Sequence, residues 1–123
     1  MDALAVGKKL VELCKQGKND EAIETLYHPD VVSVEAGAPP GQSPESRGLA
    51  AVKGKSKWWN DNHVIHSAEV LGPFPHGDRF AVRFTYDITA KHMNNTRMVM
   101  DEIALFTVKD GKVTREEFFY SHG

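Results

Sequence analysis

Residues 79–89 read RFAVRFTYDIT, in which Phe80, Val82, Phe84, Tyr86 and Ile88 alternate with Ala81, Arg83, Thr85, Asp87 and Thr89. A period of two over this length predicts a strand with one face in the core. Turn signals stand on both sides of it: His76-Gly77-Asp78 before, Asn94-Asn95 after. Similar alternation over Val64–Leu71, Arg97–Val108 and Lys112–Tyr120, with Gly72-Pro73 and Asp110-Gly111 as further turns, predicts a four-strand antiparallel meander.

Upstream the period changes to helical. Ala3, Val6, Leu10, Leu13 and Cys14 form one apolar stripe. Gly17 ends that helix in the position where glycine takes the left-handed cap. Asn19 or Asp20 is expected to cap a second helix through Glu21–Tyr27, stopped by Pro29. Val31–Glu35 reads as a short β-branched strand, and Ala36–Arg47, rich in Gly, Pro and Ser, as a long loop. Leu49, Val52, Ser56 and Trp59 mark one face of a third helix running to about Asn62. Gly54 inside it costs about 1 kcal/mol relative to Ala. The order predicts one α+β domain over 1–123, with three N-terminal helices covering one face of an antiparallel sheet.

Tight hairpins give an expected register. A turn at Asp110-Gly111 opposes Leu105 to Glu116, Ile103 to Phe118 and Asp101 to Tyr120. A turn at Asn94-Asn95 opposes Ile88 to Asp101 and Tyr86 to Ile103. The covered face would then carry Val99, Ile103, Leu105, Phe118 and Tyr120 with the apolar residues of the 79–89 strand. Two acids, Asp101 and Glu116, interrupt it. Met98, Met100, Phe106 and Phe119 would lie outside, on a face suited to a homodimer. A carboxylate on an apolar face pairs, stays protonated or lines a cavity.

Composition narrows the function. Fifteen basic and seventeen acidic side chains leave a net charge of −2, without the cationic excess of a nucleic-acid surface. No apolar run reaches the ~18 residues of a membrane span. The opening Met1-Asp2-Ala3 reads as no signal peptide. The lone Cys14 cannot form an internal disulfide, which suits a reducing cytoplasm, and its place on the apolar stripe makes it core. A chain this small buries about two-thirds of its surface, so a pocket would favour dimerisation. No phosphate loop or Ser-His-Asp arrangement is present. His63 and His66 have no third ligand nearby and predict no metal site, although His66 could reach a pocket. Trp58 and Trp59 adjoin on one helix; one lines the pocket and the other covers surface, and their spacing leaves the choice open.

Four segments carry a resemblance. Leu26–Glu35 (LYHPDVVSVE), Gly48–Val52 (GLAAV), Gly77–Phe84 (GDRFAVRF) and Val108–Val113 (VKDGKV) follow one another as in the nuclear transport factor 2-like superfamily. They look most like ketosteroid isomerase and the SnoaL-like polyketide cyclases. The resemblance implies a cone-shaped curved sheet wrapped by three helices, an apolar pocket inside, and a dimer through the outer sheet face. The isomerase's general-base aspartate falls on Glu35 and its pocket tyrosine on Tyr27. Its protonated oxyanion-hole aspartate corresponds to Asp101, and its last-strand aromatic to Tyr120. Its oxyanion-hole tyrosine falls near Leu10 or Val11 and is missing. The cyclases' catalytic aspartate falls on Phe118.

The chemistry so implied divides labour between two carboxyl groups, an ionised base (Glu35) and a protonated donor (Asp101), as ketosteroid isomerase does. The expected pocket lining is Tyr27, Trp58, His66, Phe84, Tyr86, Ile103, Glu116, Phe118 and Tyr120. The expected function is a cofactor-free pocket protein for a small, mostly apolar molecule. If catalytic, it would be an isomerase, cyclase or hydrolase working beside a carbonyl. The alternative is a non-catalytic ligand-binding or protein-association domain. A pocket holding both carboxyl groups favours the enzyme.

Overall fold

The computed structural model describes residues 2–121; Met1, where the leader reading begins, lies outside them. Three helices, α1 (Ala3–Lys15), α2 (Asn19–Leu26) and α3 (Leu49–Asn62), lie against a curved sheet that does not close. Its strands are β1 (Tyr27–Val34), β2 (Glu45–Arg47), β3 (His63–His76), β4 (Arg79–Ala90), β5 (Thr96–Lys109) and β6 (Lys112–Phe119).

Asp2 starts α1 by accepting the Ala5 amide at 2.8 Å. Gly17 follows with φ 73°, as its position after the helix requires. Asn19 is the first residue of α2 instead of its cap: Lys18 stands at the cap position and offers no side-chain bond. Within the long loop, residues 45–47 form β2 on the edge of β1. Gly72-Pro73 is no turn. It carries a cis peptide inside β3, where the pairing with β4 shifts between Leu71 and Phe74.

The sheet order is β2-β1-β6-β5-β4-β3, with β1 parallel to β6 and every other pair antiparallel. It is therefore mixed, because β1 returns beside the last strand through the whole meander. The core lies between α1, α2 and β4–β6. Phe80 and Phe106 stack there with centroids 4.9 Å apart, both fully buried, each contributing about 2–3 kcal/mol through burial. Gly7 lets α1 approach: a Cβ there would come within 2.9 Å of Pro73 Cβ and 3.1 Å of the Phe80 ring.

Register differs from expectation on β5, and this decides the site. Lys109 faces Lys112 and Val108 faces Val113, but Thr107 faces Arg115, so Thr114 is an extra residue in β6. Beyond that bulge Phe106 opposes Glu116 and Ala104 opposes Phe118. On the other side Ala90 faces Thr96 across a longer loop holding a 3-10 turn at Lys91–Met93, so Tyr86 opposes Met100 and Phe84 opposes Glu102. Both offsets are odd, and every β5 side chain changes face. Met98, Met100, Glu102 and Phe106 therefore border the interior. Val99, Asp101 and Ile103 are exposed, at 67% for Val99 and 40% for Ile103.

Candidate functional site

The helices and the concave face of the sheet enclose a cavity of about 1030 Å³, open at one end. β1 brings Tyr27 to it, α3 brings Lys55, β5 brings Glu102, and β6 brings Glu116 and Phe118, with Tyr120 just beyond its end.

A hydrogen-bonded chain runs through these groups. Glu116, buried, accepts one bond from Tyr27 Oη and another from Ser33 Oγ at 2.8 Å. Lys55 Nζ donates to Ser33 Oγ and, at 2.6 Å, to Glu35 Oε1. Tyr120 Oη donates to Glu35 Oε2 at 2.9 Å. Lys55 also stands 4.9 Å over the Phe118 ring. All six polar groups have defined partners, as burial demands. The chain joins the sequence-distant ends of β1 and β6 through one helical lysine.

Burial dominates the electrostatics. It pushes the Glu116 carboxyl above its usual range, against the pull of Lys55, Tyr27 and Ser33. Glu102 is pushed up to about 7 by burial first and by the Glu35 charge second, with Lys55 acting the other way. Tyr27, Tyr86 and Tyr120 are all held above the ordinary phenol value, each mainly by burial. The buried Cys14 thiol is raised to about 12 by burial, which leaves it a core side chain.

Of the expected lining, Tyr27, Trp58, Phe84, Tyr86, Glu116, Phe118 and Tyr120 border this cavity, together with Glu35. Four expectations need correction. Asp101 itself borders the cavity, but its carboxylate is exposed and is taken up on the outer face of the sheet. There it accepts from Arg83 Nε at 3.0 Å and Nη2 at 2.7 Å, and from Thr85. These bonds, Arg83 first, hold its carboxyl below the usual range, the opposite of a protonated donor. Ile103 is exposed on the same outer face, opposite Phe119. His66 is the extra residue of a bulge between Ile65 and Ser67, exposed and bonded to Thr89 Oγ1 at 2.7 Å. Met98, Met100 and Phe106, expected outside, border the cavity.

Both tryptophans border the cavity. Trp59 stacks on His63 at 4.3 Å, and the half-exposed Trp58 lies at the rim near His92. Glu102, Lys55 and Ser33 went unnoticed in the sequence. Lys55 carried a usable signal: it lies three residues after Val52 and four before Trp59, on the inward stripe of α3.

The family described as SnoaL-like domain matches residues 1–120. This chain belongs to the SnoaL-like domain family. The family lies within the nuclear transport factor 2-like superfamily. Among solved structures, this SnoaL-like domain is 42% identical to a Mesorhizobium loti protein provisionally named a SnoaL-like polyketide cyclase and also a carbohydrate phosphatase. That match covers 98% of this chain and all of the other, with a TM-score of 0.91. A Bacillus subtilis protein provisionally named an isomerase matches at 16% identity, covering 98% and 90% of the two chains, TM-score 0.78. A Catenulispora acidiphila protein with a ketosteroid isomerase-like fold, solved with trimethylamine, matches at 19% identity, covering 94% and 84%, TM-score 0.71. The latter two likenesses concern the fold alone. No curated protein matches the chain. No helix among the described residues is long and apolar enough to cross a membrane.

Proposed function

We propose that this SnoaL-like domain is a cofactor-free acid–base enzyme that moves a proton beside a carbonyl in a small, mostly apolar molecule, as an isomerase or cyclase. The observation that carries the reading is Glu102, a cavity carboxyl held near pH 7 among apolar side chains, beside the Glu35–Lys55–Tyr120 cluster. A base is most effective when its pKa lies near the working pH.

In this mechanism the Glu102 carboxylate takes a proton from the carbon next to the carbonyl. The C–H electron pair passes into the new C=C bond, and the carbonyl π pair moves to oxygen. Lys55, which gives N–H donors to Ser33 and Glu35, has a third N–H that stabilises the charge developing on that oxygen. Glu35, itself held by the Tyr120 hydroxyl, orients Lys55, which replaces the expected assignment of Glu35 as base. In an isomerisation the Glu102 acid returns its proton to a different carbon of the enolate. In a cyclisation the enolate carbon first bonds to a second carbonyl carbon of the same molecule. That carbonyl's π pair moves to its oxygen, and the resulting alkoxide takes the proton. Of the two activities in the name of the Mesorhizobium loti protein, polyketide cyclase agrees with this reaction class and carbohydrate phosphatase does not.

The test uses 2-tetralone as an apolar probe, with loss of its α-proton signals in D2O followed by NMR. Wild-type protein accelerates the exchange, and Glu102→Gln lowers the acceleration by about 10²-fold or more. Equal rates for the two proteins overturn the reading and leave a non-catalytic binding domain. A second copy is proposed on the outer sheet face, where Val99, Ile103 and Phe119 are exposed. Light scattering coupled to size exclusion tests it, with a mass near 27 kDa expected (twice the 13.7 kDa chain) and a mass near 13.7 kDa contradicting it.

A further inference from the structure

One wall of the cavity is continuously aromatic. Phe84 stacks on Tyr86 with centroids 5.9 Å apart, Tyr86 lies 5.4 Å from Trp59, and Trp59 stacks on His63. Glu102 stands beside this wall as the strand partner of Phe84. Among the described residues it has no hydrogen-bond or ion-pair partner. The nearby cation, Lys55, is engaged by Glu35 and Ser33. Glu116 adds a second acid at the floor, and Lys15 at the rim is exposed.

We infer that the cavity takes an organic cation: a mostly apolar molecule with an ammonium head that sits between Glu102 and the Tyr86–Trp59 faces. This rests on the cavity being the ligand site and names the class of ligand that it accepts. Two recognition elements converge on that chemistry. Aromatic faces carry negative potential and attract a cation, most strongly where water is excluded. An alkylated ammonium is weakly hydrated, so an apolar cavity desolvates it at little cost. The Glu102 charge, which burial disfavours, is stabilised by such a neighbour. An anionic ligand would meet Glu35, Glu102 and Glu116 with Lys55 already paired.

The experiment compares choline with its uncharged isostere 3,3-dimethylbutan-1-ol on the full chain, at constant ionic strength, reading tryptophan fluorescence and calorimetry. Choline is expected to bind at least about tenfold more tightly. Glu102→Gln abolishes the preference, and Trp59→Leu weakens choline binding while leaving the alcohol little changed. Equal affinities, a preference for the alcohol, no saturable response to choline, or a preference kept in Glu102→Gln would each overturn the inference. Probe binding is read without turnover, so failure of the acid–base reading appears only in the tetralone exchange.

Discussion

Lys55 on α3 holds Glu35, at the end of β1, through a 2.6 Å contact. The pair is about three-quarters buried on both sides, and it ties the third helix to the strand beside β6. Lys55 is also the cation nearest to the buried Glu116, reached through Ser33. Removing it leaves carboxylates without compensation. Lys55→Met is expected to lower stability by about 2 kcal/mol, measured by urea denaturation. An unchanged midpoint would show that the pair is solvated.

Glu102 makes stability depend on pH. Its folded value of about 7 lies above that of an unfolded glutamate, so the native state binds the proton more tightly. The stability it contributes is complete below about pH 4.3 and is lost as pH rises through about 7. Glu102→Gln removes this loss. Its stability relative to wild type should therefore grow between pH 4.5 and 8 by on the order of 3 kcal/mol. A difference that stays flat across that range would contradict the burial of this carboxyl.

Two glycines predict opposite outcomes in one thermal-melting experiment. A Cβ at Gly54 meets nothing within 4 Å. Gly54→Ala is expected to stabilise α3 by about 1 kcal/mol. At Gly7 the same addition presses on Pro73 and Phe80, so Gly7→Ala lowers the melting temperature. A rise for Gly7→Ala would show that α1 can shift outward freely.

Asp101 serves as the control. Its partners Arg83 and Thr85 are on the outer face, and exposed pairs contribute little. Asp101→Asn is expected to keep the tetralone exchange and the choline response. Loss of both, with the fold intact, would return Asp101 to the site.

The sequence was most readable where one period dominated. The α1 stripe of Val6, Leu10 and Cys14 is buried, and the β4 alternation of Phe80, Val82, Phe84 and Ile88 points inward. β5 was ambiguous because both of its faces are apolar: Val99, Ile103 and Leu105 on one, Met98, Met100 and Phe106 on the other. Its facing therefore rested on turn geometry. The bulge at Thr114 and the longer 91–95 loop each shift register by an odd number, and neither has a strong local signature. That parity exchanged Asp101 for Glu102. Tyr27 and Glu35 came from the family resemblance, and Glu116 kept its inward face because the two odd offsets on either side of β5 cancel on β6. Lys55 was not singled out, since the apolar face of α3 was traced through its neighbour Ser56.

The central claim is that Glu102 is a cavity carboxyl carrying a proton near neutral pH. A 13C NMR titration of the glutamate side-chain carboxyls, with Glu102 assigned by the resonance missing in Glu102→Gln, tests it directly. The account predicts a midpoint near pH 7 for that resonance. A midpoint at the ordinary glutamate value, about 4.3, would contradict it.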